Sequence, residues 1–266
     1  MENYKRREFV KMSFLTFAGI SLGINSISAM ALKANGKNGF LGSNPKLHWD
    51  AFISQITTLA KAQHNPLWKE QEYLAAVQKL LLQCNFPEFE HVKLAMANYS
   101  NKRPNLFEHT LLHSEIDFQV SLFQFEKGEY IGHHDHPKMC GVINVISGEM
   151  DISNYSFEKQ VGEPIAYKND HLSYSMQPCI LRKEKSEILK AGDVSILTST
   201  DNNIHEVMPN SFAQLIDIFT PAYNNENDKE TKWFNLKEKN YLGESNKVLM
   251  EYYVKPVVRF KRQAHA

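Results

Sequence analysis

The chain has 266 residues, of which 42% are hydrophobic and 23% charged, and its formal net charge at pH 7 is zero. This length allows one large domain or two small ones, and the composition is that of an ordinary globular protein. The balanced charge excludes the basic surface of a typical nucleic-acid-binding protein. Because there are only 3 cysteines and no C-x-x-C pair, the sequence gives no sign of a disulfide-rich scaffold or a structural zinc site.

The N-terminus has the composition of an export signal. The basic cluster Lys5–Arg7 precedes a charge-free stretch from Met12 to Leu32, and small residues close that stretch at Ala29–Ala31. This order is typical of a signal peptide, and RREFVK resembles the twin-arginine signal. We therefore predict a signal peptide over residues 1–31, a periplasmic location, and no stable membrane insertion after cleavage. An amphipathic helix, a weak membrane anchor and a cytoplasmic location are the alternatives.

Hydrophobic periodicity divides the remaining chain. Residues 32–46 are rich in Gly and Asn and read as a linker, and residues 47–85 repeat apolar positions every three or four residues, which predicts helices packed on a barrel. Short alternating runs fill residues 86–225 and predict an all-β sandwich or barrel. Residues 226–266 are expected to return as a strand against it. The lysine-rich stretch Arg182–Lys190 is interpreted as a solvated loop or hairpin.

Three histidines and an aspartate stand together at His133–His136. On a strand, His134 and His136 point to the same face, whereas Asp135 points to the other. This H-x-H spacing suits two ligands of one metal ion. A third candidate ligand is His205, near the start of a later strand.

The spacing around these histidines resembles the cupin motif. Gly128 and Gly148 fall where that motif has its glycines, but its glutamate position is occupied by Gly141 or Cys140, neither an oxygen ligand. Three neutral imidazoles leave about three of six positions open on an octahedral metal ion. The uncompensated positive charge of the metal then favours a thiolate as the next ligand.

Three segments resemble the cysteamine dioxygenase and plant cysteine oxidase family: HHDHPKMCGVINVISGEMDIS, DNNIHEV and LIDIFTPAYNN, which occur in the family's order between Phe107 and Tyr223. The resemblance implies an all-β cupin barrel, here preceded by a short α-helical region. It also implies Fe(II) on His134, His136 and His205, and insertion of both atoms of O2 into a thiol to give a sulfinic acid.

The same resemblance proposes further site residues. Asp217 matches an aspartate that can bind the substrate amine, and Tyr223 matches a tyrosine that can donate to the reacting oxygen. His109 stands near the position where animal-type cysteine dioxygenases carry a carboxylate-binding arginine, which favours a cysteamine-like thiol or an N-terminal cysteine as substrate. The simpler interpretations are that Asp217 caps a strand and that Tyr223 covers the barrel mouth.

The remaining histidines and cysteines have plainer interpretations. Most histidines in proteins are surface or core residues rather than metal ligands, and this plainer interpretation is preferred for His109, His113, His133 and His171. Since Gly141 stands five residues after His136, the Cys–Tyr cross-link of animal-type enzymes is not expected. A periplasmic setting would permit a disulfide between Cys140 and Cys179.

Two other functions are consistent with the sequence. A non-enzymatic metal-binding or sensing cupin would hold a structural ion such as zinc on the three histidines, and another metal-dependent cupin enzyme would use the same ligands. The expected partners are a small thiol or a Cys-initiated peptide and O2, without nucleic acid. A monomer is expected, and the sequence does not specify which thiol is oxidised.

Overall fold

The computed structural model describes residues 47–99, 107–168, 172–224, 230–239, 241–253 and 258–259. The predicted signal peptide (residues 1–31) and linker (residues 32–46) lie outside the described residues. Within the described part of the chain, no helix is both long and apolar enough to cross a membrane.

The described chain opens with the helices α1 (Trp49–Lys61), α2 (Glu70–Leu81) and α3 (Glu90–Ala97). In α1, Phe52 and Ile56 are four residues apart and fully buried, and in α2 Leu74 and Val77 are three apart and buried as well. These spacings place the apolar side chains on one face of each helix, as the sequence pattern predicts. Single turns of 3-10 helix at Ala62–His64 and Phe86–Glu88 connect the helices.

The rest of the described chain is almost entirely β-structure. Its strands are β1 (Glu108–Ser114), β2 (Gln119–Phe125), β3 (Ile131–Asp135), β4 (Cys140–Ser147), β5 (Glu149–Gln160), β6 (Ile165–Lys168), β7 (Leu172–Lys190), β8 (Val194–Leu197), β9 (Ile204–Pro209), β10 (Ala213–Thr220), β11 (Phe234–Lys239), β12 (Lys247–Tyr253) and β13 (Val258–Arg259).

One sheet has five strands in the order β1-β2-β10-β4-β8, all antiparallel to their neighbours. Successive side chains of a strand point to opposite faces. Val120 and Leu122 of β2, with Ile216 and Ile218 of β10, pack in one core with the residues of α1 and α2. The helices therefore cover the outer face of this sheet, and its inner face is left for the second sheet.

The second sheet runs β11-β12-β7-β5-β9-β3, with β6 and β13 paired to β7. Ile152 of β5 and Val207 of β9 pack with Ile143 and Leu215 of the five-stranded sheet, so an apolar core joins the two sheets. These two facing antiparallel sheets form a double-stranded β-helix. The prediction of an all-β cupin fold with a short N-terminal helical region is confirmed.

The lysine-rich stretch Arg182–Lys190 is part of strand β7, so its interpretation as a loop or hairpin is wrong. Charged residues two positions apart pair along the strand: Arg182 lies 2.8 Å from Glu184, and Lys185 lies 2.8 Å from Glu187. Because the charged side chains of this part of β7 remain largely exposed, its composition resembles that of a loop although its backbone pairs with β5.

The residues just before β11 lie along the free edge of β3. The Asp135 amide donates to the Lys232 carbonyl (3.1 Å), and the Lys232 amide donates to the Asp135 carboxylate (2.6 Å). His134 and Trp233 form an isolated bridge next to these bonds. The second sheet therefore curls until the segment Thr231–Trp233 meets the strand at its opposite end.

The closing glycine of the sequence motif makes a turn that no other residue fits. Gly148 joins β4 to β5 with a φ of +77°, and an added Cβ atom would lie 2.2 Å from the carbonyl oxygen of Phe212. A left-handed backbone and this close approach both require glycine.

The three cysteines are free thiols. Cys140 lies in the core beneath the helices, whereas Cys179 lies in a separate core with Leu181 and Met250 of the second sheet. The disulfide between Cys140 and Cys179 that a periplasmic setting would permit is not formed, because different apolar clusters enclose the two side chains.

Candidate metal centre

Three imidazoles converge inside the barrel. His134 belongs to β3, His136 follows that strand directly, and His205 stands opposite His134 in the β3–β9 ladder. The Nε2 atom of His205 lies 3.0 Å from Nε2 of His136 and 3.3 Å from Nε2 of His134. His134 is 6% exposed, and His136 and His205 are each 2% exposed. The structure therefore brings together all three predicted ligands in a site shielded from bulk water.

Burial keeps these imidazoles neutral. It lowers the pKa of His134 to about 4, against a weaker opposing effect of the Gly132 carbonyl. Burial, with the neighbouring imidazoles adding to it, also lowers the pKa of His136 and His205 well below the usual value. A neutral imidazole offers a free lone pair to a metal ion, so the three side chains are in the form that binds one.

The spacing of the nitrogens fits one transition-metal ion. Metal–nitrogen bonds of about 2.1 Å separate two donors by about 3.0 Å at a right angle and by about 3.4 Å at a tetrahedral angle. The observed separations of 3.0 and 3.3 Å lie at and between these values. Among the described residues, no carboxylate or thiolate joins the cluster, so the protein ligands are uncharged.

The structure explains why no fourth ligand from the described part of the chain stands beside His136. An added Cβ atom at Gly141 would lie 2.7 Å from Cε1 of Phe219. The Phe219 ring stacks on the His136 imidazole, with ring centroids 4.4 Å apart. An aromatic side chain therefore occupies the space into which a glutamate at position 141 would extend.

His134 and its ring orientation are fixed from two sides. Its Nδ1 atom lies 2.8 Å from the Gly132 carbonyl oxygen, to which an Nδ1–H donates, so that Nε2 is left for the metal. Trp233 stacks on its ring with centroids 4.6 Å apart and planes inclined by 16°. The C-terminal part of the chain thus supplies one wall of the site.

Tyr223 contacts the nitrogen of His136 that faces away from the other two histidines. Its hydroxyl group is hydrogen-bonded to His136 Nδ1, and its backbone amide donates to the side-chain oxygen of Gln119 (3.0 Å). In this arrangement Tyr223 orients a ligand. Its predicted donation to the reacting oxygen stays a prediction.

Asn203 ties the third-ligand segment to the second ligand. Its side-chain oxygen accepts from the His136 amide (2.9 Å), and its side-chain nitrogen donates to the carbonyl groups of His136 (2.9 Å), Met139 (3.2 Å) and Thr198 (2.6 Å). The asparagine two residues before His205, seen in the sequence as part of a motif, is therefore a clamp between two chain segments 67 residues apart.

Asp217 lies on the inner face of the five-stranded sheet, two residues from Phe219. It is 5% exposed, and within the described part of the chain its Oδ1 atom has no hydrogen-bond partner. Burial raises the pKa of this carboxyl well above its usual value. The predicted strand-capping alternative does not apply, because Asp217 stands in the middle of β10 with strands on both sides.

Ser121 contacts His109 and stands beside Asp217 on the neighbouring strand. The Nε2 atom of His109 lies 3.0 Å from the Ser121 hydroxyl, and Ser121 stands directly opposite Asp217 in the β2–β10 ladder. His109 is at an exposed position, but the protein atoms around its ring still lower the pKa of the imidazole to about 4. A line of three polar residues thus crosses the inner face that opposes the histidines.

His133 and His113 lie away from the cluster. His133 points to the opposite face of β3, where it contacts Glu206 (3.4 Å) and the Tyr155 ring. His113, on the edge strand β1, contacts Glu115 (3.2 Å). His171 lies outside the described residues.

Several residues of the site were not found from the sequence. Trp233 and Ser121 gave no signal, because their positions depend on contacts with β3 and β1 rather than on local pattern. Asn203 had a signal in its motif but no assignable partner.

A protein-family model matches the part of the chain that forms this site. The family model described as PCO_ADO matches residues 74–256, more than half of the chain, and this range includes the three histidines, Asp217, Tyr223 and Trp233. The chain belongs to the PCO_ADO family. Most of helix α2, all of α3 and strands β1 to β12 fall within the matched range.

A relative and several solved structures resemble this PCO_ADO protein. The human protein named 2-aminoethanethiol dioxygenase is 25% identical over 184 residues, which span 63% of this chain and 66% of that protein. This chain thus matches slightly less than two thirds of the relative's length. KdgF from Halomonas sp. is 14% identical to this chain, and the match covers 48% of this chain and 91% of the KdgF chain, with a TM-score of 0.32. A double-stranded β-helix protein from Klebsiella pneumoniae is 18% identical over 47% and 80%, also with a TM-score of 0.32.

Proposed function

We propose that this protein is a non-haem Fe(II) thiol dioxygenase that acts on a cysteamine-like thiol or on an N-terminal cysteine. The reaction adds O2 to R–SH and gives the sulfinic acid R–SO2H. Both oxygen atoms end on sulfur and the thiol hydrogen remains in the product, so no further reductant is required. Iron(II), when bound, would supply the site at which the thiolate and O2 react.

One observation carries this proposal: three neutral imidazoles converge, and no carboxylate of the described residues joins them. An uncharged set of ligands leaves the positive charge of the ion to attract an anionic thiolate. Phe219 closes the position of a fourth protein ligand, so that the remaining positions on the metal ion are left for external ligands. Family membership and the name of the human relative point to the same chemistry.

The inner face of the five-stranded sheet favours a substrate with an amine rather than a carboxylate. Asp217 can accept a hydrogen bond from an ammonium group, and an ammonium beside it would stabilise its ionised form. The neutral His109 and Ser121 offer no cation for a carboxylate. We therefore infer that the substrate amine lies beside Asp217 and that the thiolate lies beside the three histidines.

Oxygen uptake by the anaerobically Fe(II)-loaded protein tests the proposal. The panel contains cysteamine, cysteine, 3-mercaptopropionate and a Cys-initiated peptide, and mass spectrometry identifies the products. We expect a gain of two oxygen atoms on cysteamine or on the peptide and little reaction of 3-mercaptopropionate, which has a carboxylate and no amine. His205→Ala should abolish uptake, whereas His113→Ala, which removes a histidine outside the cluster, should not.

Two results would contradict the proposal. If no thiol in the panel consumed oxygen while zinc rather than iron co-purified, the non-enzymatic metal-binding cupin would be the better description. If 3-mercaptopropionate were the fastest substrate, the dioxygenase activity would stand and the assignment of Asp217 to the substrate amine would be wrong.

A further inference from the structure

The third histidine lacks the support that the other two have. His134 Nδ1 has the Gly132 carbonyl, and His136 Nδ1 has the Tyr223 hydroxyl. The Nδ1 atom of His205 is buried and has no hydrogen-bond partner among the described residues. When Nε2 of an imidazole binds a metal ion, Nδ1 carries the hydrogen atom and needs an acceptor.

Asn154 stands directly opposite His205 in the β5–β9 ladder. Side chains of directly opposed residues share one face of the sheet, with Cβ atoms about 4.5–5.5 Å apart. Asn154 is fully buried, and its Nδ2 atom is also without a hydrogen-bond partner in the described part of the chain. Two unsatisfied buried nitrogens on adjacent residues are unusual, because nearly all buried polar groups are paired.

A half-turn of the Asn154 amide gives its nitrogen a partner and puts an oxygen acceptor where the unpartnered nitrogen now stands. The amide oxygen now accepts a long bond of 3.4 Å from the Ser195 hydroxyl. The two ends of an asparagine amide have nearly the same shape, so rotation by 180° exchanges them without a change in packing. After rotation Nδ2 donates to the Ser195 hydroxyl, which can accept as well as donate. Oδ1 then takes the place of the unpartnered nitrogen on the residue directly opposite His205, where it can accept a bond from Nδ1–H once metal binding fixes the ring.

We propose that Asn154, held in place by Ser195, is the positioning residue for His205 and accepts its Nδ1–H bond when metal is bound. The inference rests on the metal site of the proposed function but does not depend on thiol oxidation. Asn154 does not touch the reacting atoms; it fixes the tautomer and the ring plane of the third ligand.

The test measures metal affinity and not turnover. Co(II) is titrated into metal-free protein in competition with a chelating indicator, for the wild type and for the variants Asn154→Leu, Asn154→Asp and Asn144→Leu. Loss of an outer hydrogen bond to a metal ligand typically weakens binding by roughly 10–100-fold. We expect that loss for Asn154→Leu, and near-wild-type or tighter binding for Asn154→Asp, which keeps an acceptor.

Asn144→Leu is the matched control. Asn144 is another buried asparagine in a strand, but its Nδ2 atom donates to the Asp193 carbonyl (3.1 Å), away from the histidines. Its replacement should lower the melting temperature without changing Co(II) affinity. Equal loss of Co(II) affinity in Asn144→Leu and Asn154→Leu would overturn the inference, as would unchanged affinity in Asn154→Leu.

A measurement on the wild-type protein covers the case in which Asn154→Leu does not fold. The Co(II) protein should show three shifted imidazole N–H resonances that exchange slowly with water, one for each ligand. Two slowly exchanging resonances in place of three would overturn the proposal. Tight Co(II) binding with three slow resonances but no oxygen uptake with Fe(II) would leave Asn154 in its role and contradict only the dioxygenase.

Discussion

Asp217 is the residue at which stability and proposed function oppose each other. Its carboxyl is buried, and within the described chain Oδ1 has no hydrogen-bond partner, so that ionisation in the metal-free protein is costly. A substrate ammonium would remove part of that cost. The residue therefore suits a site that is strained when empty and relaxed when an amine is bound.

Asp217→Asn should stabilise the metal-free protein at neutral pH. Because burial raises the pKa of the folded carboxyl above that of the unfolded chain, the wild type loses stability as the pH rises above about 4. The loss is roughly 1.4 kcal/mol for each unit of the shift. Thermal unfolding of both proteins from pH 4 to pH 8 measures it: the variant should gain stability with pH relative to the wild type. A difference independent of pH would contradict a raised pKa.

At the same scale, the H-x-H spacing and the alternation of a strand were enough to predict which histidines share a face. The partners of those histidines could not be predicted. Asn154 in SNY reads as an ordinary strand residue, and Trp233 is 99 residues from His134, a separation over which no local pattern carries information.

Among the elements, the three-residue segment Thr231–Trp233 holds in place the strand that carries His134. It pairs with the free edge of β3, and Lys232 also forms an ion pair with Asp135 (3.4 Å). An edge strand without a neighbour is easily displaced or mispaired. This short segment therefore fixes the strand that carries His134.

Trp233→Leu should weaken metal binding more than it weakens the fold. It removes the ring stacked on His134 but leaves the Lys232–Asp135 bonds in place, so we expect roughly a tenfold loss of Co(II) affinity, at the lower end of the effect of outer contacts on metal ligands. Competition titration measures the affinity. Trp68→Leu, which removes a tryptophan packed among the helices, is the control and should lower only the melting temperature. Equal affinities in the two variants would argue against a role for the stacked ring.

The helices could be predicted from the sequence, whereas the charged half of strand β7 could not. Helices α1 and α2 were predictable because their apolar residues recur at helical spacing over more than ten positions. Strand β7 was not predictable over its charged half, since its exposed alternation of lysine, arginine and glutamate matches a solvated loop equally well.

At the scale of the whole molecule, the helices cover the outer face of the five-stranded sheet, which is apolar and would otherwise be exposed to solvent. Phe52, Ile56 and Leu74 are at most 1% exposed and pack on Val120 and Ile218 of that sheet. Burial of one such side chain contributes about 1.5–3 kcal/mol. A few of these residues together approach the total stability of a typical domain, which is about 5–15 kcal/mol.

Removal of the helices should therefore abolish the fold. We expect a chain that begins at residue 99 to aggregate, because the outer face of the five-stranded sheet becomes exposed, whereas a chain that begins at residue 47 should keep a cooperative unfolding transition. Size-exclusion chromatography and thermal unfolding of both truncated proteins provide the comparison. A monomeric, cooperatively unfolding chain from residue 99 would show that the barrel is stable without its helices.

The enclosure of the three free cysteines has a chemical consequence for a protein proposed to oxidise thiols. Burial raises the pKa of Cys84, Cys140 and Cys179 to about 12 each. Since the thiolate is the reactive form, only about one in 100,000 of these side chains would be ionised at pH 7. The proposed thiol oxidation can thus proceed while the protein's own cysteine thiols stay inert, and oxidation of these cysteines should begin only after the fold has opened.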